Sequence, residues 1–364
     1  MTEMDLKQIV SPLLDWYDGH ARILPWREEP TAYRVWVSEI MLQQTRVEAV
    51  KPYYERFMEA LPNVQALANA KEEQLLKLWE GLGYYNRVRN LQKAAKTVVE
   101  QHDGVIPDTF EELCRLSGIG SYTAGAIASI AYGKRTPAVD GNVLRVIARV
   151  RLDDRDILNA KVKKSVEDDI RQIMPEDRPG DFNQALMELG AVCCIPNGEP
   201  KCQMCPWHDF CESRKQGCMT DYPKKTPKKA RTIEYKTVLV LQDEHKVAFR
   251  KRPDKGLLAG MYEFPCLDGI CSEMQVLAYL KSIGLSAVHI KKLADSKHIF
   301  THKEWHMVGY AVRVDELERS GKENDLLFAD KEEVQEKYPV PTAYAAYTSY
   351  LQIKLGYEKY HEEK

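Results

Sequence analysis

The sequence predicts a mainly α-helical N-terminal domain followed by an α+β C-terminal domain. Three observations favour this division. A chain of 364 residues is longer than one hydrophobic core usually serves, so two domains are expected. Apolar residues recur at helical spacing up to about Gly217, with almost no strand-like alternation. Runs rich in β-formers begin only after a basic stretch that is punctuated by prolines.

Residues 1–217 form the predicted helical domain. An amphipathic pattern covers residues 36–60, shorter helical patterns cover 75–79 and 89–101, and an alanine-rich pattern covers 122–132. Residues 218–232 are then predicted to be an extended linker, because lysines and prolines dominate there. Its basic run fits either a solvated spacer or a contact with the DNA backbone.

Residues 233–364 form the predicted α+β domain. Its elements are strands at 237–241 and 246–251 around a hairpin turn at 243–245, a helix at 273–283, a strand at 306–314 and a closing helix at 341–355. The sequence contains no evident internal repeat.

Composition excludes some classes of protein. The formal net charge is -2, so composition alone does not indicate a nucleic-acid-binding protein, and any contact with DNA would use local basic patches. No apolar run is long enough to predict a membrane span. The acidic, amphipathic first segment is unlike a signal peptide. Nine cysteines in a chain without a signal peptide favour a location in the reducing cytoplasm, and favour a bound metal over disulfides.

Four cysteines, Cys194, Cys202, Cys205 and Cys211, follow the pattern C-x7-C-x2-C-x5-C. Four thiolates this close in sequence can hold one metal centre, either a tetrahedral zinc ion or a cubane iron–sulfur cluster. The single C-x2-C pair between two longer arms favours the [4Fe-4S] cluster. The alternatives are reduced buried thiols or a disulfide pair, and Cys193 competes with Cys194 for the position of first ligand.

A glycine-bracketed turn precedes the alanine-rich helix. Gly118 and Gly120 flank one apolar residue, which lets backbone N–H groups at the start of a helix bind a phosphate. Alone, this motif is most often a plain turn between helices. Asp140 lies eighteen residues after Tyr122 and directly before a glycine, so it is either a functional carboxylate or a helix N-cap.

Glu39 stands among apolar residues of a predicted helix. Partial burial would raise the pKa of its carboxyl group and allow it to act as an acid near neutral pH. The alternative is a glutamate on the polar face of that helix.

Together these motifs resemble the endonuclease-III-like helix-hairpin-helix superfamily of DNA glycosylases. Within it, the chain resembles the A/G-specific adenine DNA glycosylases, the MutY family. The segments that carry the resemblance are 24–27 (LPWR), 38–45 (SEIMLQQT), 81–87 (GLGYYNR) and 182–190 (FNQALMELG). The resemblance implies removal of adenine mispaired with 8-oxoguanine or guanine in double-stranded DNA, leaving an abasic site. We expect a monomer in the bacterial cytoplasm, associated with the nucleoid.

The resemblance also implies roles for particular residues. Glu39 falls on the catalytic acid and Asp140 on the catalytic aspartate, with Asn142 expected to orient Asp140 or the water. Tyr122 stands where bifunctional relatives carry a lysine that forms a Schiff base, so strand cleavage is not expected. The implied adenine pocket contains Trp26, Arg27 and Gln184, and the implied DNA contacts are Gln44, Leu82, Tyr84, Gly118, Gly120 and Ser121.

The C-terminal domain resembles the Nudix-like domain with which this family recognises 8-oxoguanine. Residues 256–265 (GLLAGMYEFP) match its early segment, but the acidic R-E-x-x-E-E box is missing, so no pyrophosphatase activity is expected. Phe300, Thr301 and His302 match the lesion-reading F-S-H loop, with threonine in place of serine. The first gap between cysteines has seven residues instead of the usual six, and a turn at Gly198 can absorb the extra one.

Two rival functions follow from the same residues. One is a pyrimidine-lesion glycosylase with lyase activity, which Tyr122 and the second domain argue against. The other is a non-enzymatic DNA-damage binder, which the retention of both Glu39 and Asp140 argues against.

Overall fold

The computed structural model describes residues 6–227, 230–244, 246–315 and 325–356. Two residues of the predicted linker, Lys228 and Lys229, lie outside the described residues, and so does His245 of the predicted hairpin turn. The chain divides into two compact units. The first contains Met1–Asn69 and Asn90–Lys228, and the second contains Ala70–Arg89 and Lys229–Lys364. Residues 70–89, which the sequence suggested were part of the helical domain, therefore group with the C-terminal unit.

The first unit is helical, as predicted. Its helices are α1 (Val10–His20), α2 (Pro25–Glu28), α3 (Ala32–Leu42), α4 (Val47–Ala60), α5 (Val64–Asn69), most of α7 (Asn86–Gln101), α8 (Phe110–Arg115), α9 (Ser121–Ala126), α10 (Gly141–Arg151), α11 (Ala160–Ile173), α12 (Pro179–Val192) and α13 (Glu212–Lys215). Helix α6 (Glu72–Leu78) belongs to the second unit. No helix in the described ranges is long and apolar enough to cross a membrane.

Two predicted helical segments are interrupted. The segment 36–60 divides into α3 and α4 because the chain turns at Gln44, whose φ is 59°. The alanine-rich segment 122–132 begins as α9 and continues as a π-helical turn at Ile127–Ala131. The first interruption lies at Gln44, one of the predicted site residues.

A shared apolar core holds the start of α10 and the whole of α12 in place. Buried side chains of both helices pack together with those of α1; among them are Leu13, Val143, Ile147, Phe182 and Leu189. The loop that carries the cysteines is anchored to the same core. Trp207 lies in that loop, is buried, and donates from Nε1 to the carbonyl oxygen of Ile9 at 2.9 Å.

The predicted glycine turn connects α8 to α9 and forms a helix-hairpin-helix. Gly118 has a φ of 78°, and a Cβ atom at this position would lie 2.7 Å from Cβ of Asn90. Only glycine meets both constraints. The turn therefore requires Gly118 for its backbone conformation and for its close approach to Asn90.

The second unit is built on one mixed sheet, which has eight strands among the residues described. They are β1 (Thr232–Asp243), β2 (Lys246–Lys251), β3 (Tyr262–Glu263), β4 (Cys266–Asp268), β5 (Ala287–Lys292), β6 (Ser296–Ile299), β7 (Lys303–Val314) and β8 (Leu327–Ala329). The central order is β3-β2-β1-β7-β5, with β1 and β7 parallel. β1 and β2 pair as the predicted hairpin, with Asp243 opposite Lys246.

In the described part of the chain after residue 229, the α-helices beside the sheet are α14 (Glu273–Ser282), α15 (Lys331–Glu336) and α16 (Ala345–Tyr350). Helix α14 confirms the prediction for 273–283. The predicted closing helix at 341–355 is wrong in extent, because α16 ends at Tyr350. Gln352 has a φ of 59° and turns the chain, so that Ile353 and Leu355 are buried in the apolar core of the unit.

Residues 70–89 pack into the second unit through buried polar contacts. Lys77 Nζ donates to the carbonyl oxygens of Val334 at 3.0 Å and Tyr338 at 3.2 Å. Glu80 is buried, pairs with Lys77, and accepts a bond from the Val340 N–H at 2.8 Å. Buried charges are stable only with such partners, so these contacts tie the segment to the C-terminal residues.

Candidate active site

The first unit contains a cavity of about 580 Å³. Its wall is formed by α2 and α3, the turn before α9, the start of α10, and α12. Ten of the residues singled out from the sequence line it: Trp26, Arg27, Glu39, Gln44, Gly120, Ser121, Tyr122, Asp140, Asn142 and Gln184. Gly118 is not part of this wall, and Leu82 and Tyr84 belong to the second unit.

Glu39 is buried on α3, with 6% of its surface exposed. Burial raises the pKa of its carboxyl group to about 7, against the opposing effects of a hydrogen bond from Tyr122 and the charge of Arg27. The alternative of a solvated glutamate is therefore wrong. Glu39 can hold a proton near neutral pH, as a general acid must.

Tyr122 donates its hydroxyl proton to Glu39 Oε2 at 2.5 Å. Burial, with the nearby charge of Glu39, raises the pKa of Tyr122 well above its usual value, so the phenol stays protonated. From the sequence, Tyr122 was informative only as a residue that cannot form a Schiff base. The structure gives it a positive role as the hydrogen-bond partner of Glu39.

Asp140 is both an N-cap and a member of the cavity wall. Its Oδ1 accepts from the backbone N–H groups of Asn142 at 2.9 Å and Val143 at 2.8 Å, and its Oδ2 accepts from Asn142 Nδ2 at 2.7 Å. Burial raises the pKa of Asp140, and these three bonds act in the opposite direction. Hydrogen bonds from donors stabilise the charged form of a carboxyl group. Asp140 accepts three such bonds and Glu39 accepts one, so a proton binds more readily to Glu39.

Asn142 is held by Arg145. Arg145 Nη2 donates to Asn142 Oδ1 at 3.0 Å and to the Gly190 carbonyl oxygen at 2.8 Å, while its Nε donates to the Cys194 carbonyl oxygen at 2.9 Å. Because Arg145 can only donate, the amide oxygen of Asn142 must face it and the amide NH₂ must face Asp140. The orientation of the Asn142 side chain is thus fixed by its neighbours.

Glu188 also lines the cavity and was not singled out from the sequence. Its carboxylate contacts both Arg22, at 2.5 Å from Nε, and Arg27, at 2.8 Å from Nη2. Burial acts to raise the pKa of Glu188, but the bonds and charges of these two arginines outweigh it and lower the pKa. A signal was present, since Glu188 follows Gln184 by four residues and shares its helix face.

Gln44 and Tyr84 have left-handed backbones, with φ values of 59° and 51°. Such a conformation costs roughly 1–2 kcal/mol for a residue other than glycine. Strained residues of this kind concentrate at functional sites. The side chain of Tyr84 is also 48% exposed, which is unusual for a large ring.

The predicted lesion-reading loop lies between β6 and β7. Phe300 packs edge-on against Trp305, with ring centroids 4.9 Å apart, while Thr301 and His302 are exposed at the tip. Within the same unit, Thr301 Oγ1 donates to the hydroxyl oxygen of Tyr84 at 3.4 Å. Two residues that were assigned to DNA contacts from separate motifs therefore meet.

All nine cysteines are free, so the disulfide alternative is wrong. The four predicted ligands and Cys193 line one small cavity in the first unit; the four are Cys194, Cys202, Cys205 and Cys211. Arg149 Nη1 donates to Cys194 Sγ at 3.3 Å, whereas the Cys193 thiol donates to the Lys201 carbonyl oxygen at 3.2 Å. Five cysteines therefore line this cavity, one more than the four ligands that a cubane iron–sulfur cluster takes. In the described ranges, no three His, Cys, Asp or Glu side chains are arranged to hold a single metal ion.

Comparison with known proteins covers both units. Residues 37–174 match the family model of the HhH-GPD superfamily base excision DNA repair proteins, and residues 237–349 match that of the NUDIX domain. The chain is 37% identical to the adenine DNA glycosylase of Mus musculus, over 87% of this chain and 72% of that protein. It is 37% identical to the enzyme of Homo sapiens over 80% and 64% of the two chains, and 32% identical to that of Buchnera aphidicola subsp. Acyrthosiphon pisum over 89% and 91%.

Two solved structures are similar to the helical part. A thermostable thymine-DNA glycosylase is 26% identical, with a TM-score of 0.51, over 58% of this chain and 96% of that one. Endonuclease III in a non-covalent complex with DNA is 24% identical, with a TM-score of 0.50, over 59% and 99% of the two chains. The second likeness is one of fold alone.

Proposed function

Since the chain belongs to the adenine DNA glycosylases, DNA-repair enzymes that hydrolyse N-glycosyl bonds, we propose that its substrate is adenine paired with 8-oxoguanine or guanine in double-stranded DNA. Two buried carboxyl groups in one cavity, which differ in the number of hydrogen bonds they accept, support hydrolysis of the N-glycosyl bond. Glu39 has a pKa of about 7 and one hydrogen-bond donor, whereas Asp140 accepts three hydrogen bonds.

Glu39 is the proposed general acid. The target nucleotide must leave the base stack, and the flipped adenine would enter the cavity beside Trp26 and Arg27. Protonated Glu39 donates to N7 of the adenine, which makes the base a better leaving group. Tyr122 keeps the carboxyl group of Glu39 in place during this transfer.

Asp140 is the proposed partner on the other side of the bond. As the C1′–N9 bond breaks, positive charge develops on the sugar, and Asp140 either stabilises that charge or captures C1′. Asn142 holds Asp140 in position. Water then adds its hydroxyl group to C1′, displacing the Asp140 carboxylate if that bond has formed, and its proton returns to Glu39, leaving an abasic site.

Strand cleavage is not part of the proposed reaction. A lyase needs an amine that forms an imine with the sugar, and Tyr122 stands in the position of that amine. Its hydroxyl group is occupied by the bond to Glu39. The proposed enzyme is therefore monofunctional.

Cys194, Cys202, Cys205 and Cys211 are the proposed ligands of a [4Fe-4S] cluster. They fit this group because all four residues line one cavity, after the end of α12 and in the loop that follows. When bound, the cluster would serve as a structural centre that holds this loop in shape. The catalytic steps above use none of these residues.

Thr301 and His302 are the proposed readers of 8-oxoguanine. Both are exposed, and the bond from Thr301 to Tyr84 places a hydroxyl group beside an exposed aromatic ring. Such a ring can stack on a base while the hydroxyl and imidazole groups bond to its edge.

One gel tests the reaction. The protein is incubated with a duplex that contains A opposite 8-oxoguanine, and half of each sample is then treated with hot alkali, which cleaves at abasic sites. We expect cleavage of the adenine strand only after alkali. Cleavage without alkali would identify a lyase, and no cleavage with normal duplex binding would identify a non-enzymatic binder. Glu39→Gln serves as the control that binds the duplex without releasing adenine.

A further inference from the structure

Glu188 is a buried carboxylate that none of the proposed catalytic steps uses. It lies on α12 one turn after Gln184, and its side chain is 1% exposed. Removing a carboxylate from water is costly, so its presence in the cavity wall requires compensating contacts.

Two arginines supply these contacts. Glu188 Oε1 accepts from the backbone N–H of Arg22 at 3.2 Å and from its Nε at 2.5 Å, and Oε2 accepts from Arg22 Nη2 at 3.1 Å. The same Oε2 accepts from Arg27 Nη2 at 2.8 Å. Glu188 therefore joins α12 to the chain segment that enters α2, across the cavity wall.

The guanidinium group of Arg27 is held on three sides. Besides the bond to Glu188, Nη1 donates to the Arg22 carbonyl oxygen at 3.0 Å, and the group lies 5.7 Å from the ring centroid of Tyr17. These bonds use two of the five N–H donors of Arg27, and the side chain also lines the cavity. The planar fork is thus preorganised before a base arrives.

We propose that Glu188 is a positioning residue that fixes Arg27, so that the remaining N–H groups of Arg27 meet the acceptor nitrogens of the flipped adenine. This inference rests on the proposed function. A fixed arginine loses little side-chain freedom on binding, and so orients the base toward Glu39 at low entropic cost. Glu188 itself does not touch the base.

A double-mutant cycle tests whether Glu188 acts through Arg27. Glu188→Gln removes the charge and keeps the shape, and Arg27→Met removes the guanidinium group and keeps most of the side-chain length. We expect each single change to slow single-turnover adenine release roughly ten- to a hundredfold, the range typical of lost positioning. The double variant should be no slower than Arg27→Met alone. Rates that multiply, or an unchanged rate in Glu188→Gln, would overturn the inference.

Controls separate positioning from folding. Glu176→Gln disrupts an exposed Glu–Arg pair with Arg135 and should leave the rate unchanged. Thermal midpoint and duplex affinity are measured for every variant. If Glu188→Gln does not fold, Glu188→Asp replaces it in the cycle, because the shorter acid keeps the charge but cannot reach both arginines. A wild-type protein that releases no adenine would refute the proposed function, whereas an active wild type with multiplicative rates refutes only the role of Glu188.

Discussion

Burial of Glu39 should make the stability of the DNA-free protein depend on pH. Glu39→Gln should remove this dependence. Burial raises the pKa of Glu39 from 4.5 to about 7. Between these values the folded protein binds a proton at Glu39 that the unfolded chain has released. The stabilising contribution of this proton is complete below pH 4.5 and is lost as the pH rises through about 7.

The size of the effect follows from the pKa difference. Each pKa unit corresponds to about 1.4 kcal/mol, so the rise of Glu39 from 4.5 to about 7 corresponds to roughly 3 kcal/mol of unfolding free energy. Glu39→Gln has a similar shape and no titrating group. Relative to wild type, it should therefore gain roughly 3 kcal/mol between pH 4 and pH 8.

The assay compares wild type with Glu39→Gln across this pH range. Thermal unfolding midpoints of DNA-free protein are measured at one scan rate, and roughly 2–4 °C is expected per kcal/mol for a unit of this size. Glu59→Gln, at an exposed position on α4, controls for the loss of one negative charge. Iron content is matched between samples.

A constant difference between the two midpoints from pH 4 to pH 8 would refute this reasoning, because it would mean that the pKa of Glu39 is the same in the folded and the unfolded protein. If the midpoint of Glu39→Gln relative to wild type rose toward low pH, the pKa of Glu39 would be lowered in the folded protein. A carboxyl group with a lowered pKa would not be a general acid at neutral pH.

Three further predictions concern the acid, the lesion loop and the metal. Tyr122→Phe removes a bond that favours ionised Glu39, so the pKa of Glu39 should rise and the fall of the excision rate with pH should move to higher pH; a shift to lower pH would contradict this. Thr301→Val removes one hydroxyl group and should reduce the preference for A:8-oxoguanine over A:G by about 1–3 kcal/mol, seen as the ratio of excision rates; an unchanged ratio would remove Thr301 from lesion reading. Cys193→Ser should retain roughly four irons per chain and Cys194→Ser should not; the reverse result would exchange the first ligand.

Local patterns predicted much of the fold, because helices and hairpins leave periodic signatures. The hairpin of β1 and β2 and helix α14 follow from patterns within a few residues. Strands β3, β4 and β8 have two or three residues each, too few for a periodic signal. The end of α16 depends on burial of Ile353, which the helical pattern does not encode.

Pairing across the chain is what the sequence could not predict for the site. Glu39 and Tyr122 were both singled out, but they are 83 residues apart and nothing local indicates their hydrogen bond. The pair of Glu188 with Arg27 spans 161 residues. Family resemblance predicted the site residues, and the fold shows which of them line the cavity and which are in contact.

The composition of the second unit affects when its parts can fold during synthesis of the chain. Lys77 and Glu80 bond to residues of the last part of the chain, and Glu80 precedes its partner Val340 by 260 residues. At 5–20 residues per second, a ribosome needs roughly 10–50 seconds to cover that distance. During this interval Lys77 and Glu80 lack the C-terminal hydrogen-bond partners that they have in the folded protein. A chain cut near residue 229 would lack these partners permanently, so a shortened protein tests the folding of residues 70–89 as well as the proposed lesion reading.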